Sequence, residues 1–293
     1  MTSLPILRSL LFVPGSRVEL LPKAEAARSD AIVLDLEDSV AADAKQRARA
    51  AVAAALGGRA DRLTFIRFNH PELGMLEEDT AVLAAHDAQV VLIPKVDRVE
   101  DVRAVDERLA RVEANHAMAP NSIGIVVGTE TALGLRVLYD ALRCTQRARG
   151  AVLASAEEGD LIVDLGGRWT PAGHALAYSR GKFVCDARAA GATWLLDGAF
   201  MNLESADLLR GESTLARDYG FNGKVAIHPR QVSVINEVFS PSAAEVDRAK
   251  RLVDAFNAAL SQGQGAVKFE GMMVDYANVK RAERILIMLQ RDK

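Results

Sequence analysis

The sequence is poor in the residues that mark specialised protein classes. Its 293 residues include two cysteines, Cys144 and Cys185, which cannot build a disulfide framework and suit a reducing compartment. Lys and Arg number 36 against 39 Asp and Glu, a balance that excludes binding to nucleic acid or anionic membranes through bulk charge. No apolar run approaches the roughly 18 residues of a membrane span, and the first residues lack the pattern of a secretory signal. We therefore expect a soluble cytoplasmic protein.

Eight short apolar runs recur along the chain, separated by Ala-, Arg- and Glu-rich stretches with helical spacing. The runs are continuous, as expected for strands buried on both faces of a parallel sheet, and they cover residues 9–13, 31–35, 63–68, 89–94, 122–128, 150–154, 193–197 and 224–228. Their spacing fits a strand followed by a returning helix. The pattern predicts an α/β protein with a (β/α)8, or TIM, barrel. A doubly wound open sheet is the alternative, but the phosphate-binding loop typical of that fold is absent.

The pattern changes after the eighth run, which predicts two parts: a barrel over residues 1–239 and a C-terminal helical extension over 240–293. The extension begins with a long helix over 241–262, with Ser240 as its cap and Pro241 at its first position. A glycine-rich break follows, then a strand-like piece, a turn at Gly271 and a final helix of about 15 residues. Since a barrel closes without such a segment, we expect it to act as a lid or an oligomer arm.

Acidic and basic residues follow almost every apolar run, where the strands of a TIM barrel end at the active-site face. This clustering of charges on one rim is hard to explain by packing and favours a functional site. The rim residues are Arg17, Asp35, Glu37, Asp38, Arg67, Asn69, Lys95, Glu130, Asp160, Asp197 and His228.

Glu130 and Asp160 follow neighbouring strands and offer oxygen ligands with no cysteine nearby. Such a pair suits Mg²⁺, which keeps several waters and takes one or two carboxylates. The alternative is that the acids pair with Arg67 and Lys95 in a structural network. Arg67 offers a bidentate fork for a carboxylate or a thioester oxygen, whereas His228, in Ile-His-Pro-Arg, is interpreted as a loop-anchoring residue.

These strand ends resemble those of a known family. The matching motifs, in chain order, are RSLLFVPGS (8–16), LDLEDSV (34–40), IRFN (66–69), IPKV (93–96), ETALGL (130–135), DLIVDLG (160–166) and GFNGKVAIHPRQ (220–231). The chain resembles the citrate lyase β-subunit-like enzymes of the HpcH/HpaI aldolase group, and most of all the malyl-CoA and citramalyl-CoA lyases. The resemblance runs from about residue 8 to residue 288.

The resemblance implies a Mg²⁺-dependent carbon–carbon lyase that cleaves a 3-hydroxy dicarboxylic acyl-CoA to acetyl-CoA and a 2-oxo acid, pyruvate or glyoxylate. By the same resemblance Glu130 and Asp160 are the metal ligands, and Glu37 and Asp38 line the metal site through water. The remaining assignments are Arg67 and Asp275 as catalytic residues, Arg8, Pro14, Arg17 and Lys23 near the CoA nucleotide, and Asn69 and Lys95 in the substrate site.

The family resemblance also implies a homo-oligomer, a trimer or hexamer, whose C-terminal segment crosses to a neighbouring subunit and brings Asp275 to a composite site. A competing hypothesis is the citryl-thioester lyase β subunit of citrate lyase, which releases oxaloacetate and works with an acyl carrier protein. We also consider a metal-dependent aldolase acting on free 2-oxo acids, and a non-catalytic CoA-binding homologue.

One stretch departs from the family pattern. Where the family usually has Gly-x-Glu-Asp, this chain has Glu157-Glu158-Gly159-Asp160. The aspartate is kept, but a side chain at residue 157 stands where bare backbone is usual. We expect this departure to affect substrate choice.

Overall fold

The computed structural model describes residues 4–57, 62–83 and 90–291, with side chains through residue 288. The chain divides into two compact units: Leu7–Phe239, called the barrel unit below, and a tail unit that runs from Ser240 to the carboxyl terminus and includes the residues before Leu7. Within the described ranges, no helix has the length and apolar character needed to cross a membrane.

A closed barrel of parallel strands, paired in chain order, forms the centre of the barrel unit. The strands are β1 (Ser9–Pro14), β2 (Ala31–Asp35), β3 (Thr64–Arg67), β4 (Val90–Ile93), β5 (Gly124–Thr129), β6 (Ala148–Leu153), β7 (Trp194–Asp197) and β8 (Gly223–Ala226). The register of β1 closes the ring, with Leu10 opposite Ala31 of β2 and opposite Val225 of β8. The predicted (β/α)8 barrel is confirmed.

Helices follow the strands and cover the outside of the barrel. They are α1 (Leu21–Ala26), α2 (Lys45–Leu56), α3 (Leu76–Ala81), α4 (Val99–Asn115), α5 (Ala132–Arg143), α6 (Asp160–Asp164), α7 (Ala177–Ala190), α8 (Ala206–Tyr219) and α9 (Pro229–Phe239). Short 3₁₀ turns span Gly15–Leu20, Ala42–Ala44, Pro71–Leu73 and His174–Leu176. The turn Ala42–Ala44 leads directly into α2.

Continuous apolar runs became strands because both faces of the barrel wall are covered. Every residue of β2 and of β5 is buried, and one contiguous apolar core joins the strands to the surrounding helices. Strands buried on both faces need no polar alternation, which is why the runs are uniformly apolar. Strand boundaries differ from the predicted ones by up to two residues, since the apolar signal extends into the flanking loops.

The tail unit contains α10 (Ala243–Ser261), an antiparallel hairpin of β9 (Val267–Phe269) and β10 (Met272–Val274), and α11 (Tyr276–Arg291). It has its own apolar cluster, which includes Leu252, Phe256, Phe269 and Val274. Gly271 turns the hairpin with φ of +83°, as the predicted turn requires.

The predicted cap of the first tail helix is wrong. Ser242, not Ser240, caps α10: its hydroxyl accepts the N–H of Glu245, and the Glu245 carboxylate accepts the N–H of Ser242. This reciprocal capping box satisfies two N–H groups at once, so it outweighs a proline at the first position. Pro241 therefore precedes the helix.

Candidate active site

Arg67 and two carboxylates form the centre of the rim at the carboxyl ends of β2 and β3. Arg67 ends β3, and its Nε and Nη2 donate to the two oxygens of Asp35 at 2.6 and 2.7 Å. Its Nη1 lies 2.8 Å from Oε2 of Glu37, and its guanidinium stacks 5.1 Å from the centre of the Phe12 ring. Three of its five N–H groups are thus committed to carboxylates. The pair of Arg67 N–H donors that was expected to bind a substrate carboxylate is therefore occupied by Asp35.

Charge pairing sets the protonation of this centre. Burial alone would raise the pKa of Asp35, but the hydrogen bonds and charge of Arg67 outweigh it and hold that pKa below its ordinary value. Burial raises the pKa of Glu37 despite the neighbouring Arg67. The same pairing keeps Arg67 charged, with its pKa above the ordinary value. The centre therefore carries a fixed ion pair next to a carboxylate that protonates more easily.

Lys95 joins the acids of several strands. It follows β4, and its Nζ lies 2.8 Å from Oε1 of Glu37, 3.0 Å from Oδ2 of Asp38 and 3.6 Å from Oδ2 of Asp160. Its backbone N–H donates to Oε1 of Glu130 at 3.0 Å. Burial alone would lower the pKa of Lys95, but its bonds to Glu37 and Asp38 raise it, so the side chain is a cation.

Glu130 follows β5, the strand paired with β4, and so lies beside Lys95. A Cβ on Gly128 would lie 2.9 Å from Oε1 of Glu130 and 2.9 Å from the carbonyl oxygen of Ile93, so a glycine there leaves room for the carboxylate. Burial, and then the charge of Glu37, raise the pKa of Glu130 to about 7. A nearby cation would relieve this destabilised carboxylate.

Asp160 begins α6 and is more than half exposed, with its carboxylate near Lys95. In the described residues no three His, Cys, Asp or Glu side chains are grouped closely enough to enclose a metal. A site with two carboxylates from Glu130 and Asp160 is nevertheless what Mg²⁺ uses, because it keeps several waters and takes substrate oxygens. The donor chemistry, with the half-buried and destabilised Glu130, therefore fits Mg²⁺.

A mostly apolar cavity of about 210 Å³ opens beside this centre. Its walls come from β1, α1 and the segment after β8, and include Phe12, Pro14, Lys23 and His228. Phe12 is the ring on which Arg67 stacks, so the cavity borders the charged centre. Two of the residues predicted to lie near the CoA nucleotide, Pro14 and Lys23, line this cavity.

His228 anchors the start of α9. Its Nδ1 accepts the N–H of Arg230 at 3.2 Å, and its own N–H donates to Gln231. Burial, and then the charge of Lys23, lower the pKa of His228. This arrangement matches the loop-anchoring interpretation.

Two other predicted CoA residues pair with acids outside this centre. Arg8 precedes β1, at the amino end of the strands, where its side chain pairs with Asp30 at 2.8 Å. Since all strands are parallel, the amino end is the opposite face of the barrel. Arg17, in the turn after β1, is exposed and pairs with Glu19. The structure therefore does not place Arg8 with Pro14 and Lys23.

Asn69 is buried, and its hydrogen bonds go to Asp79. Its N–H and its side-chain amide both donate to Oδ2 of Asp79, at 2.7 and 2.9 Å, and Arg49 donates to the other oxygen of Asp79. The amide donor is therefore occupied. The predicted contact of Asn69 with substrate stays a prediction.

Asp197, the rim residue after β7, belongs to a fully buried ion-pair network. Its carboxylate lies 2.6 Å from Nζ of Lys224 and 3.4 Å from Nε of Arg180, and both cations also reach Glu212. Ser155 donates to Asp197 at 2.7 Å. Two acids and two bases balance, so this group is structural.

Asp275 lies in the tail unit, where it is exposed and caps α11 by accepting the N–H of Ala277 at 2.9 Å. In the stretch that differs from the family pattern, residues 157–160, Glu157 and Glu158 are both exposed, and Glu158 has φ of +55°. A Cβ on Gly159 would meet the carbonyl oxygen of Ala156 at 3.1 Å, so glycine suits that position.

Two residues that fix the loop after β2 were not predicted from the sequence. Lys45, at the start of α2, donates from Nζ to the carbonyl oxygens of Leu36 and Glu37 at 2.7 and 2.6 Å. Ser39 donates its hydroxyl to Asp35. These bonds fix the backbone that carries Glu37 and Asp38. The residues lie four to nine positions from their partners, a spacing that carries no periodic signal.

The chain is similar over nearly its whole length to characterised proteins. It is 36% identical to a (3S)-malyl-CoA thioesterase of Cereibacter sphaeroides over 95% of this chain and 93% of that protein. It is 31% identical to citrate lyase subunit beta of Escherichia coli over 95% and 92%. A crystal structure of CitE from Mycobacterium tuberculosis, in complex with magnesium, acetoacetate and coenzyme A, has a TM-score of 0.78 at 28% identity and 98% coverage of both chains.

The pattern of the HpcH/HpaI aldolase/citrate lyase family matches residues 8–229. The chain belongs to this family. The predicted relationship is thereby confirmed, and the protein is an enzyme of the carbon–carbon lyase type to which citrate lyase β subunits belong.

Proposed function

We propose that the protein is a Mg²⁺-dependent lyase that cleaves a 3-hydroxy dicarboxylic acyl-CoA, of the citramalyl-CoA or malyl-CoA type, to acetyl-CoA and a 2-oxo acid. The observation that carries the proposal is the convergence of Glu37, Glu130 and Asp160 on Lys95, with Glu37 also paired to Arg67 and an apolar cavity beside them. Relatives named for malyl-CoA and for citrate, and a similar structure that contains magnesium and CoA, support it.

Glu130 and Asp160 would hold the metal, with Glu37 and Asp38 contacting its waters. Bound Mg²⁺ would supply Lewis-acid polarisation of substrate oxygens. The cavity beside Pro14 and Lys23 would take part of the CoA moiety, whose phosphates favour a lysine at the mouth.

Arg67 would bind the developing 2-oxo acid through the two N–H groups that Asp35 and Glu37 leave uncommitted. Its bidentate bond to Asp35 holds the guanidinium in one orientation, so these donors are positioned before substrate arrives. The fixed positive charge would stabilise negative charge that forms as the carbon–carbon bond breaks.

Asp275 would return a proton to the acetyl-CoA carbon, from the tail of a neighbouring subunit in a homo-oligomer. In the tail unit, Met272, Met273 and Tyr276 surround Asp275 in sequence and are all more than half exposed. In the barrel unit, the segments that follow β5, β6 and β7 expose Leu133, Val163, Tyr178 and Met201. Burial between subunits would cover this apolar surface and shield Asp275 from solvent.

The test is an assay with Mg²⁺ and three thioesters: (3S)-citramalyl-CoA, (3S)-malyl-CoA and citryl-CoA. Lyase activity releases acetyl-CoA with pyruvate, glyoxylate or oxaloacetate, and EDTA abolishes it. Cleavage of citryl-CoA alone would favour the citrate lyase β role with an acyl carrier protein. Binding of CoA without cleavage of any thioester would contradict the proposal and favour a non-catalytic homologue.

A second candidate is hydrolysis of the thioester of (3S)-malyl-CoA, favoured by the 36% identity to a (3S)-malyl-CoA thioesterase. Hydrolysis releases free CoA thiol and malate, whereas the lyase releases acetyl-CoA and glyoxylate. Measuring thiol, acetyl-CoA and 2-oxo acid in the same reaction separates the two.

The composite site has its own test. Mixing Arg67→Ala and Asp275→Ala proteins under subunit exchange should restore part of the activity, because one site in the mixed oligomer regains both residues. Each variant alone, treated in the same way, is the control. No rescue would indicate that the two residues act within one chain or that Asp275 has no catalytic role.

A further inference from the structure

Lys95 contacts all four carboxylates of the proposed metal site. Its ammonium lies 2.8 Å from Glu37, 3.0 Å from Asp38 and 3.6 Å from Asp160, and its backbone N–H bonds to Glu130. Oxygens from three separate carboxylates thus lie near the ammonium, and Asp160 among them is one of the two proposed Mg²⁺ ligands.

Lys95 is the counter-ion of Asp38 and Asp160, because the other cation of the centre, Arg67, is engaged elsewhere. Arg67 is committed to Asp35 and Glu37. Lys95 reaches the more exposed acids, Asp38 and Asp160, whose side chains are 60% and 55% exposed. A lysine ammonium is a compact point charge on a flexible stem, so it can leave such a position without moving the backbone.

The backbone of Lys95 is fixed independently of its side chain. Lys95 has φ of +50°, in the left-handed region that few non-glycine residues adopt, and its N–H is bonded to Glu130. Its side chain is one third exposed, so solvent borders the ammonium. The side chain therefore has room to withdraw while the residue stays attached to Glu130.

We propose that Lys95 is an internal cation that competes with Mg²⁺. In the metal-free protein its ammonium neutralises Asp160 and Asp38 and keeps these carboxylates together; when Mg²⁺ binds, the ammonium gives up its contact with Asp160. The inference rests on the proposed function, which assigns Mg²⁺ to Glu130 and Asp160. It makes Lys95 a positioning residue that weakens metal affinity while keeping the ligands assembled.

The first test is calorimetric titration of Mg²⁺ into metal-free wild-type, Lys95→Met and Lys95→Arg proteins. Removing a positive charge a few ångströms from the metal should tighten Mg²⁺ binding at least about tenfold in Lys95→Met. Lys95→Arg, which keeps the charge, should stay within about threefold of wild type. Equal or weaker binding by a folded Lys95→Met protein overturns the inference.

Melting in EDTA supplies a second readout. Lys95→Met should melt below wild type without metal, because Glu37, Asp38 and Asp160 lose a counter-ion, and should gain more than wild type from added Mg²⁺. An unchanged melting temperature in EDTA would contradict the neutralising role.

The wild-type protein gives a third readout that needs no variant. Acetylation of Lys95 by an amine-reactive reagent, followed by peptide mass spectrometry, should rise when Mg²⁺ is added because the ammonium leaves its carboxylates. Lys182, which pairs with Asp186 one turn along α7, is the matched control and should not respond. Unchanged or lower labelling of Lys95 with Mg²⁺ bound overturns the displacement.

An Asp160→Asn protein separates this inference from the proposed function. If wild type binds Mg²⁺ and Asp160→Asn does not, Asp160 is supported as a Mg²⁺ ligand. The Lys95 results then decide by themselves whether Lys95 competes with the metal. If Asp160→Asn binds Mg²⁺ as wild type does, the metal assignment fails, and the inference built on it fails too.

Discussion

Replacing Glu130 with glutamine should change how the stability of the metal-free protein depends on pH. Glutamine has nearly the shape of glutamate and can still accept the N–H of Lys95, but it does not ionise. Burial and the charge of Glu37 raise the pKa of Glu130 from 4.5 to about 7 in the folded protein. The folded state therefore binds a proton on Glu130 over a pH range in which the unfolded chain has released it.

The direction of the effect follows from linkage. Because the folded pKa is the higher one, wild-type stability falls as the pH rises from the unfolded pKa of 4.5 through the folded value of about 7. A shift of about 2.5 units at 1.36 kcal/mol per unit corresponds to about 3 kcal/mol. Glu130→Gln lacks this loss, so it should be more stable than wild type by about 3 kcal/mol at about pH 8, relative to the difference at about pH 4.

The assay is urea or thermal unfolding of the barrel in EDTA over this pH range. A change of about 3 kcal/mol corresponds to roughly 6–12 °C in melting temperature for a domain of this size. Groups far from Glu130 titrate alike in both proteins and cancel in the difference. Added Mg²⁺ should stabilise wild type far more than Glu130→Gln. Parallel pH profiles for the two metal-free proteins would refute the argument.

Three further perturbations test other parts of the structure. Asp160→Asn should weaken Mg²⁺ binding at least about tenfold by calorimetry while leaving melting in EDTA nearly unchanged, because its carboxylate is more than half exposed; a large drop in melting temperature would instead show a structural role. Lys224→Met should lower the free energy of unfolding in urea by about 3–5 kcal/mol, because the buried Asp197 carboxylate loses its partner at 2.6 Å. A loss below about 1 kcal/mol would show that the network relaxes. Arg8→Ala should lower stability and leave the KM for CoA thioesters unchanged, because Arg8 pairs with Asp30 at the amino end of the strands; a raised KM with unchanged stability would restore its predicted CoA role.

The sequence was sufficient to predict the barrel and most of the rim. Uniform apolar runs such as residues 31–35 and 122–128 require burial on both faces, which a closed parallel barrel provides. Because parallel strands end on the same face, residues after each run were expected to converge, and Glu37, Lys95 and Asp160 do so. These features depend on local pattern and on one topological rule, so no contact information was needed.

The partners of the rim residues were decided by tertiary structure. Asp35, Asp197 and Arg67 carry the same sequence signal as Glu130, a charged residue at a strand end, yet Asp35 closes the Arg67 fork and Asp197 lies in a buried network. Which charges pair depends on side-chain distances across strands and on desolvation, neither of which has a period in the sequence. The same holds for Lys45, which reaches back to the Glu37 carbonyl.

The sequence alone thus determined the order of elements and the face on which the acids meet, because backbone periodicity and parallel topology set both. The tertiary structure alone decided that Arg8 faces away from that rim, that Ser242 caps α10, and that Lys95 is bonded to all four acids. These outcomes depend on distances of a few ångströms between side chains, where electrostatics and burial select one pairing among several that the sequence permits.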